Sequence, residues 1–549
     1  MRTSTRLRWL GCLLFTVALV AQVPPAKSVK PAEYRIAGVV YDAGSGQTLP
    51  GVRVSLGSTA ANKVPDRSVL TGPDGTFAFE HLAADKYQMY GEAVGYPLQG
   101  FEQHESPYLT GVVVGPDISS DHLVFRLQRG SVISGTVTDE YNDPVREADV
   151  TLFRRGLQNG RFSTHMVEQG QTDDRGAYKF GALLPGIYFV AVSGRPWYAH
   201  SSADLRPEVQ AMASSQVLDN MKRLDLAYPM TFYAGSTDAS SATEIKLRNG
   251  DRATADLTLH AVPAARVHVK FPSFRQGRYF PSIRLAQLVF GEELPAQFEQ
   301  RGAENEMLYT GAPPGHYLVH VNAPGGDGDR VQEIDVSGDT TIDPEAVTAP
   351  GSCAIKGLVQ MADGQPLPPN VVILLRSQSG MPTGGVRVQD KGEFLFPVLQ
   401  PGTYELGIAN AENIYLLDMA VSNAKVSGRS VTVSGAATAE IGMTLGRGMG
   451  EIKGVAMKDG KGLGGTMVLL VPANPTTSYG LFRRDQSDSD GTFTLPQIVP
   501  GKYSVISIQD GWDLEWSKPA VLKPYLEKAE KIEVTAGGKY QLKIQVQQK

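Results

Sequence analysis

The feature that most constrains this chain is a phrase that returns along it. Asp74-Gly75-Thr76-Phe77-Ala78-Phe79 leads through Leu82 to Tyr87. Arg175-Gly176-Ala177-Tyr178-Lys179-Phe180 leads through Leu183 and Pro185-Gly186 to Tyr188. Gly392-Glu393-Phe394-Leu395-Phe396 leads through Leu399 and Pro401-Gly402 to Tyr404, and Asp490-Gly491-Thr492-Phe493-Thr494-Leu495 through Pro500-Gly501 to Tyr503. In every copy the tyrosine stands 12 positions after the turn glycine. Counting back 12 from Tyr317 reaches Asn305, with Pro314-Gly315 before the tyrosine. Asn tolerates a positive φ better than most residues, so this is a fifth, degenerate copy. Repetition at such a period means an array of similar units.

Each part of the phrase has a physical reading. Asp-Gly makes a tight turn because Gly takes a positive φ without steric cost, and the Asp caps that turn. Alternation such as Phe77, Phe79 or Phe394, Phe396 puts aromatics on one face of a strand. Pro-Gly turns the chain again, and the tyrosine opens the next strand. Upstream of each clear copy lies a strand holding a glycine: Gly38, Gly135, Gly357 and Gly454, which precede their tyrosines by 49, 53, 47 and 49 residues. Short strands at this spacing, with turns between them, indicate β-sandwiches.

The expected fold is all-β, a tandem array of five Greek-key/transthyretin-like β-sandwich domains with one helical insertion. The expected limits are 33–128, 129–261, 262–349 (the degenerate copy), 350–447 and 448–549. The insertion falls at 199–233, in the longest interval between tyrosines, 129 residues. There Arg206-Pro207 can open a helix, and Val209, Ala213, Val217 and Met221 share one face that would pack on the sandwich. With short linkers, five domains of about 35–40 Å each would make a rod.

The repeats resemble the carboxypeptidase regulatory-like family, a transthyretin-like sandwich related to the bacterial collagen-adhesin B-type repeats. The resemblance is carried by the glycine-containing first strand, the Asp-Gly-x-Phe-x-Phe turn and strand, and the Leu-x-x-Gly-x-Tyr close. The first copy departs from it at Asp85, where the other copies have Gly. It implies a non-catalytic accessory role in secreted bacterial proteins and kinship with carbohydrate-binding-like sandwiches. It does not imply peptidase activity.

At the N-terminus, Arg2, Arg6 and Arg8 precede an apolar run from Trp9 to Ala21, the pattern of a secretory signal peptide over residues 1–21, followed by a linker over 22–32. Cleavage there changes the formal charge from −5 to −8 and leaves Cys353 as the one thiol, expected at the start of a strand. The protein is therefore expected outside the cytoplasm, secreted or periplasmic, with no membrane span in the mature chain. One cysteine makes no disulfide and no cysteine-based metal site. A mildly acidic chain with pI near 6.0 lacks the basic stripe of a nucleic-acid binder.

Catalytic constellations are scarce. His165-Met166-Val167-Glu168 has the spacing of a zinc pair, but it falls on an alternating segment with no third ligand in sight. His316 and His320 bracket Tyr317 in one strand, too far apart to share a metal. Gly460-Lys461-Gly462-Leu463-Gly464-Gly465 joins two strands, where a dinucleotide fingerprint would need a strand and a helix. No enzyme activity, cofactor or metal is expected.

One cluster remains. Nine residues after the tyrosine come Tyr96, Trp197 and Trp512, joined by Tyr198 and Trp516. Flat aromatic faces at a loop end suit sugar rings, and large exposed aromatics mark binding sites. Equally, each could lid its own sandwich, since Trp is mostly buried in folded proteins. The expected function is a secreted, non-catalytic binding or adhesion protein contacting carbohydrate or a cell-surface polymer through Tyr96, Trp197, Tyr198, Trp512 and Trp516. The alternative is a structural spacer, or a scaffold for an envelope protein partner. Exposed tryptophans favour the first and buried ones the second.

Overall fold

The computed structural model describes residues 33–59, 67–199, 212–270, 282–296, 298–303, 306–322, 329–343, 353–376, 382–399, 401–435 and 437–549. The signal peptide and linker, the degenerate turn at Asn305 and the helix start at Arg206-Pro207 lie outside the described residues.

Five β-sandwiches follow one another, each around its own apolar core. One pairing rule runs through them. The first strand lies antiparallel to the strand after the repeated turn and parallel to the last strand of its module. In the first sandwich Tyr34–Asp42 pairs with Thr76–Leu82 and with Ser120–Leu127. In the fourth, Cys353–Met361 pairs with Glu393–Leu399 and with Thr438–Arg447. The degenerate third copy obeys the same rule, with Ala265–Lys270 between Glu306–Ala312 and Thr340–Ile342. A second sheet, built around the tyrosine strand, closes each of the first four cores, as Asp85–Ala93 and Gly402–Ala409 do; in the fifth the two layers join into one sheet where Gly501–Gln509 runs parallel to Lys539–Gln548.

The repeated residues each answer a steric or polar demand. Gly75, Gly176, Gly392 and Gly491 have φ of 79°, 70°, 83° and 83°, and Asp74 and Asp490 each accept from the amide and hydroxyl of the Thr two residues on. The first-strand glycines face the aromatic of the hairpin: Gly38 opposite Phe77, Gly135 opposite Tyr178, Gly357 opposite Phe394, Gly454 opposite Phe493. A Cβ on Gly357 would stand 2.2 Å from the Ile441 carbonyl oxygen of the parallel strand and 2.5 Å from the Phe394 ring. No side chain fits between them. The tyrosine is required for its hydroxyl. Tyr87, Tyr188, Tyr317 and Tyr503 each donate to the carbonyl four residues earlier, at 3.1, 2.7, 2.7 and 2.7 Å. This bond ties the second turn to the strand that follows it.

Two expectations change. The described helix of the insertion is Ser215–Arg223, capped by Ser214. Its apolar face is not sealed against the sandwich, for Val217 is 47% exposed. Further on, Leu226–Phe232 is a strand of the second sandwich itself, paired with Gly186–Gly194.

Nor is the array a rod. The fifth sandwich packs against the first, second and fourth, and the third against the second. Phe290 of the third lies 5.2 Å from Phe153, 5.0 Å from Phe189 and 5.5 Å from Phe232 of the second. Glu405 of the fourth is buried and accepts from the Gly480 amide of the fifth at 2.9 Å. The physical reason is visible in the strands. Met467–Pro472 and Val150–Phe153 are buried on both faces, so each needs cover outside its own sandwich.

Candidate functional site

The five loop aromatics separate into three environments. Tyr96 opens the strand Tyr96–Gly100 and is only 7% exposed. Its hydroxyl donates to Asp42, and Arg129 lies over its ring at 5.5 Å. Burial would raise the Asp42 carboxyl, but hydrogen bonds from Tyr96, Ser45 and Gly44 outweigh it and hold the group below its ordinary range. Tyr96 therefore lids its own core and joins it to the start of the second sandwich.

Trp512 and Trp516 sit between modules, 8% and 6% exposed. The loop over residues 101–111 of the first sandwich reaches across to Trp512. The His104 ring stacks on it at 5.4 Å and 9°, and Tyr108 leans against it at 5.6 Å. Between the tryptophans lies the Arg484 guanidinium, 4.5 Å from the Tyr108 ring centre, 5.5 Å from Trp512 and 5.2 Å from Trp516. Glu105 clamps it through two 2.7 Å bonds. Gln486 donates to the Glu102 carbonyl and to Thr110, and Lys86 pairs with buried Asp488. On the other side, the hairpin tip Asn159-Gly160 of the second sandwich inserts against Trp516. A Cβ on Gly160 would stand 2.5 Å from that indole, and the Gly160 carbonyl accepts from Ser517 at 2.9 Å. Neither indole face is left open to a ligand. The two rings hold three sandwiches together.

Trp197 is different. It follows the strand Gly186–Gly194 and is 76% exposed, with half-buried Tyr198 edge-on to it at 5.8 Å and 87°. A cleft of about 320 Å³ runs beside the indole, lined by Asp139, Pro144, Val145, Arg146, Arg195 and Tyr228. Tyr141 stands nearby, 73% exposed. Burial and then the neighbouring Glu140, Tyr141 and Asp139 push the Tyr198 phenol above its ordinary value, so it stays a neutral hydroxyl donor. Aromatic faces beside carboxylates and guanidiniums offer stacking and hydrogen bonding together. Tyr198 and Trp197 are the two sequence candidates that the structure brings to one open place.

The sequence candidates for metal chemistry are strand residues. His316 pairs with Asp335 and His320 with Glu293, and among the described residues no three of His, Cys, Asp or Glu gather closely enough to hold a metal ion. Cys353 begins its strand, buried. Among the described residues no helix is long and apolar enough to cross a membrane.

Glu105, Tyr108, Arg484 and Gly160 were not legible as partners of the aromatics. A signal was present in Met467-Val468-Leu469-Leu470-Val471, which does not alternate and so requires burial on both faces.

No curated relative matches the chain. Among solved structures, the Bacillus anthracis TIE protein is similar at 12% identity over 96% of this chain and 76% of its own, with a TM-score of 0.17. A streptococcal ancillary pilin is similar at 12% identity over 51% of this chain and 98% of its own (TM-score 0.19), and a minor pilin of Streptococcus agalactiae at 12% over 42% and 97% (TM-score 0.21). Likenesses at these TM-scores carry no weight for function. Residues 35–115, the greater part of the first sandwich, match the carboxypeptidase regulatory-like domain, a regulatory module and not the peptidase.

Proposed function

We propose that the protein is a non-catalytic binding or adhesion protein of the cell envelope or exterior, contacting a neutral polysaccharide or similar surface polymer at Trp197 and Tyr198. The reading of an exported protein rests on the arginines and apolar run at residues 1–21. The observation that carries the binding site is the Trp197 ring, 76% exposed beside a polar cleft. An exposed indole loses its cost when a flat apolar surface covers it. A sugar ring supplies such a surface through its C–H face, while its hydroxyls meet Asp139, Arg146 and Arg195. Asp139 and Glu140 are balanced by Arg146 and Arg195, so the cleft favours an uncharged polymer over one with a net charge of either sign.

The burial of Trp512 and Trp516 favours a second reading, a scaffold that holds sandwiches for a protein partner. Tryptophan emission separates the two. The full chain is titrated with a panel of neutral polysaccharides beside Trp197→Ala. A saturable shift is expected in the unchanged protein, and calorimetric titration, which needs no indole reporter, is expected to show no binding to Trp197→Ala, with the melting curve unchanged. Binding retained in the variant, or no response to any polysaccharide, removes the platform and leaves the scaffold.

A further inference from the structure

A second cavity, about 260 Å³, lies where the third sandwich covers the second. Glu147, Asp149, Gln169 and Arg195 line it from the second sandwich, Gln287 and Thr310 from the third. Arg195 and Tyr228 line both this cavity and the Trp197 cleft, so the two adjoin across one wall of side chains. We propose that this cavity is a subsite for one neutral, hydroxyl-rich unit of the same chain-like ligand whose neighbouring unit lies on Trp197.

Three observations carry the assignment. The first is Thr310. Strand alternation sends Tyr309 into the core of the third sandwich, where its hydroxyl donates to the Ile283 carbonyl, and sends Thr310 to the opposite face. The second sandwich covers that face, leaving Thr310 1% exposed, and its hydroxyl has no hydrogen-bond partner among the described residues. Buried hydroxyls are normally satisfied, and this one borders a cavity that a polar guest can enter.

The second is the balance of charge. Glu147 and Asp149 accept hydrogen bonds, Arg195 donates them, and Gln169 and Gln287 do both. A charged guest of either sign would meet a like charge. Hydroxyl groups, donors and acceptors at once, satisfy every member. Leu294, Pro295 and Phe298 add an apolar wall for the carbon face of a ring.

The third is size. Drug-sized ligands occupy roughly 300–1,000 Å³, so a cavity of about 260 Å³ takes a single ring. An extended ligand would have to continue outward, and the adjoining Trp197 cleft is the neighbouring opening. The proposal thus rests on Trp197 being a platform and adds the place and number of units held.

The test uses the full chain and calorimetric titration with neutral gluco-, xylo-, manno- and chito-oligosaccharides of one to six units. Thr310→Val removes the hydroxyl at nearly constant shape. Gln287→Ala, at a half-buried position, changes the other wall from the same module. Each is expected to weaken binding of the longer oligosaccharides about three- to tenfold, the loss of one net hydrogen bond, while the single sugar binds as before. Trp197→Ala is expected to lose both. If Thr310→Val and Gln287→Ala bind every length as the unchanged protein does while Trp197→Ala fails, the subsite is overturned and the platform stands. If the unchanged protein binds none of the four series, the platform fails and the subsite with it.

Discussion

Glu105→Ala should undock the fifth sandwich from the first without unfolding either. Arg484 is 8% exposed at its side chain and Glu105 25%, and the pair is bidentate at 2.7 Å across 379 residues of sequence. Removing one partner of a fully buried ion pair costs about 3–5 kcal/mol, because a charge is stranded. Water reaches Glu105, so about 2–3 kcal/mol is the better figure here, roughly a 30- to 150-fold shift toward the undocked state. The guanidinium keeps its three aromatic neighbours, which holds the loss below the full value. Hydrogen exchange reads the outcome segment by segment. Protection should fall over residues 101–111 and 511–517 and persist in Tyr34–Asp42, whose hydrogen bonds lie within the first sandwich. A double-mutant cycle with Arg484→Met should give a coupling near 2 kcal/mol. A coupling under about 0.5 kcal/mol, or protection lost equally from Tyr34–Asp42, would refute the docking role of the pair.

Gly357→Ala should destabilise the fourth sandwich by about 1–3 kcal/mol, since its Cβ meets a carbonyl and a ring. Gly442→Ala in the same sheet, where the nearest atom is 3.9 Å away, is the control and should be neutral or better in urea unfolding. Asp485 gives a pH signature. Burial pushes its carboxyl from 3.8 up to about 6. Between those values the folded state holds a proton that the unfolded chain has released, so stability falls as pH rises through the window. The loss is about 2–3 kcal/mol for one such group. The difference in unfolding free energy between the unchanged protein and Asp485→Asn should therefore move in favour of the variant from pH 4 to 7. A flat difference would mean that Asp485 is not buried in solution.

The repeat itself was legible because it is local. A positive-φ glycine, an aromatic opposite a strand glycine and a tyrosine bonded four residues back are demands met within each module, so each module writes them into its own sequence. Even the third copy, without the strand glycine, keeps Tyr317 and its bond to Pro313. The aromatics were legible as a class and not as individuals. Tyr96, Trp197 and Trp512 occupy equivalent positions after their tyrosines, yet one lids a core, one is open and one joins modules. That difference depends on which distant loop arrives, and the loop of residues 101–111 carries no periodic mark of its destination. Strands such as Met467–Pro472 announce through lost alternation that both faces are covered; only the tertiary structure decides by what. Local geometry is set by neighbours in the chain, and therefore by sequence pattern. Docking between modules is set by complementary surfaces hundreds of residues apart, which no short pattern records.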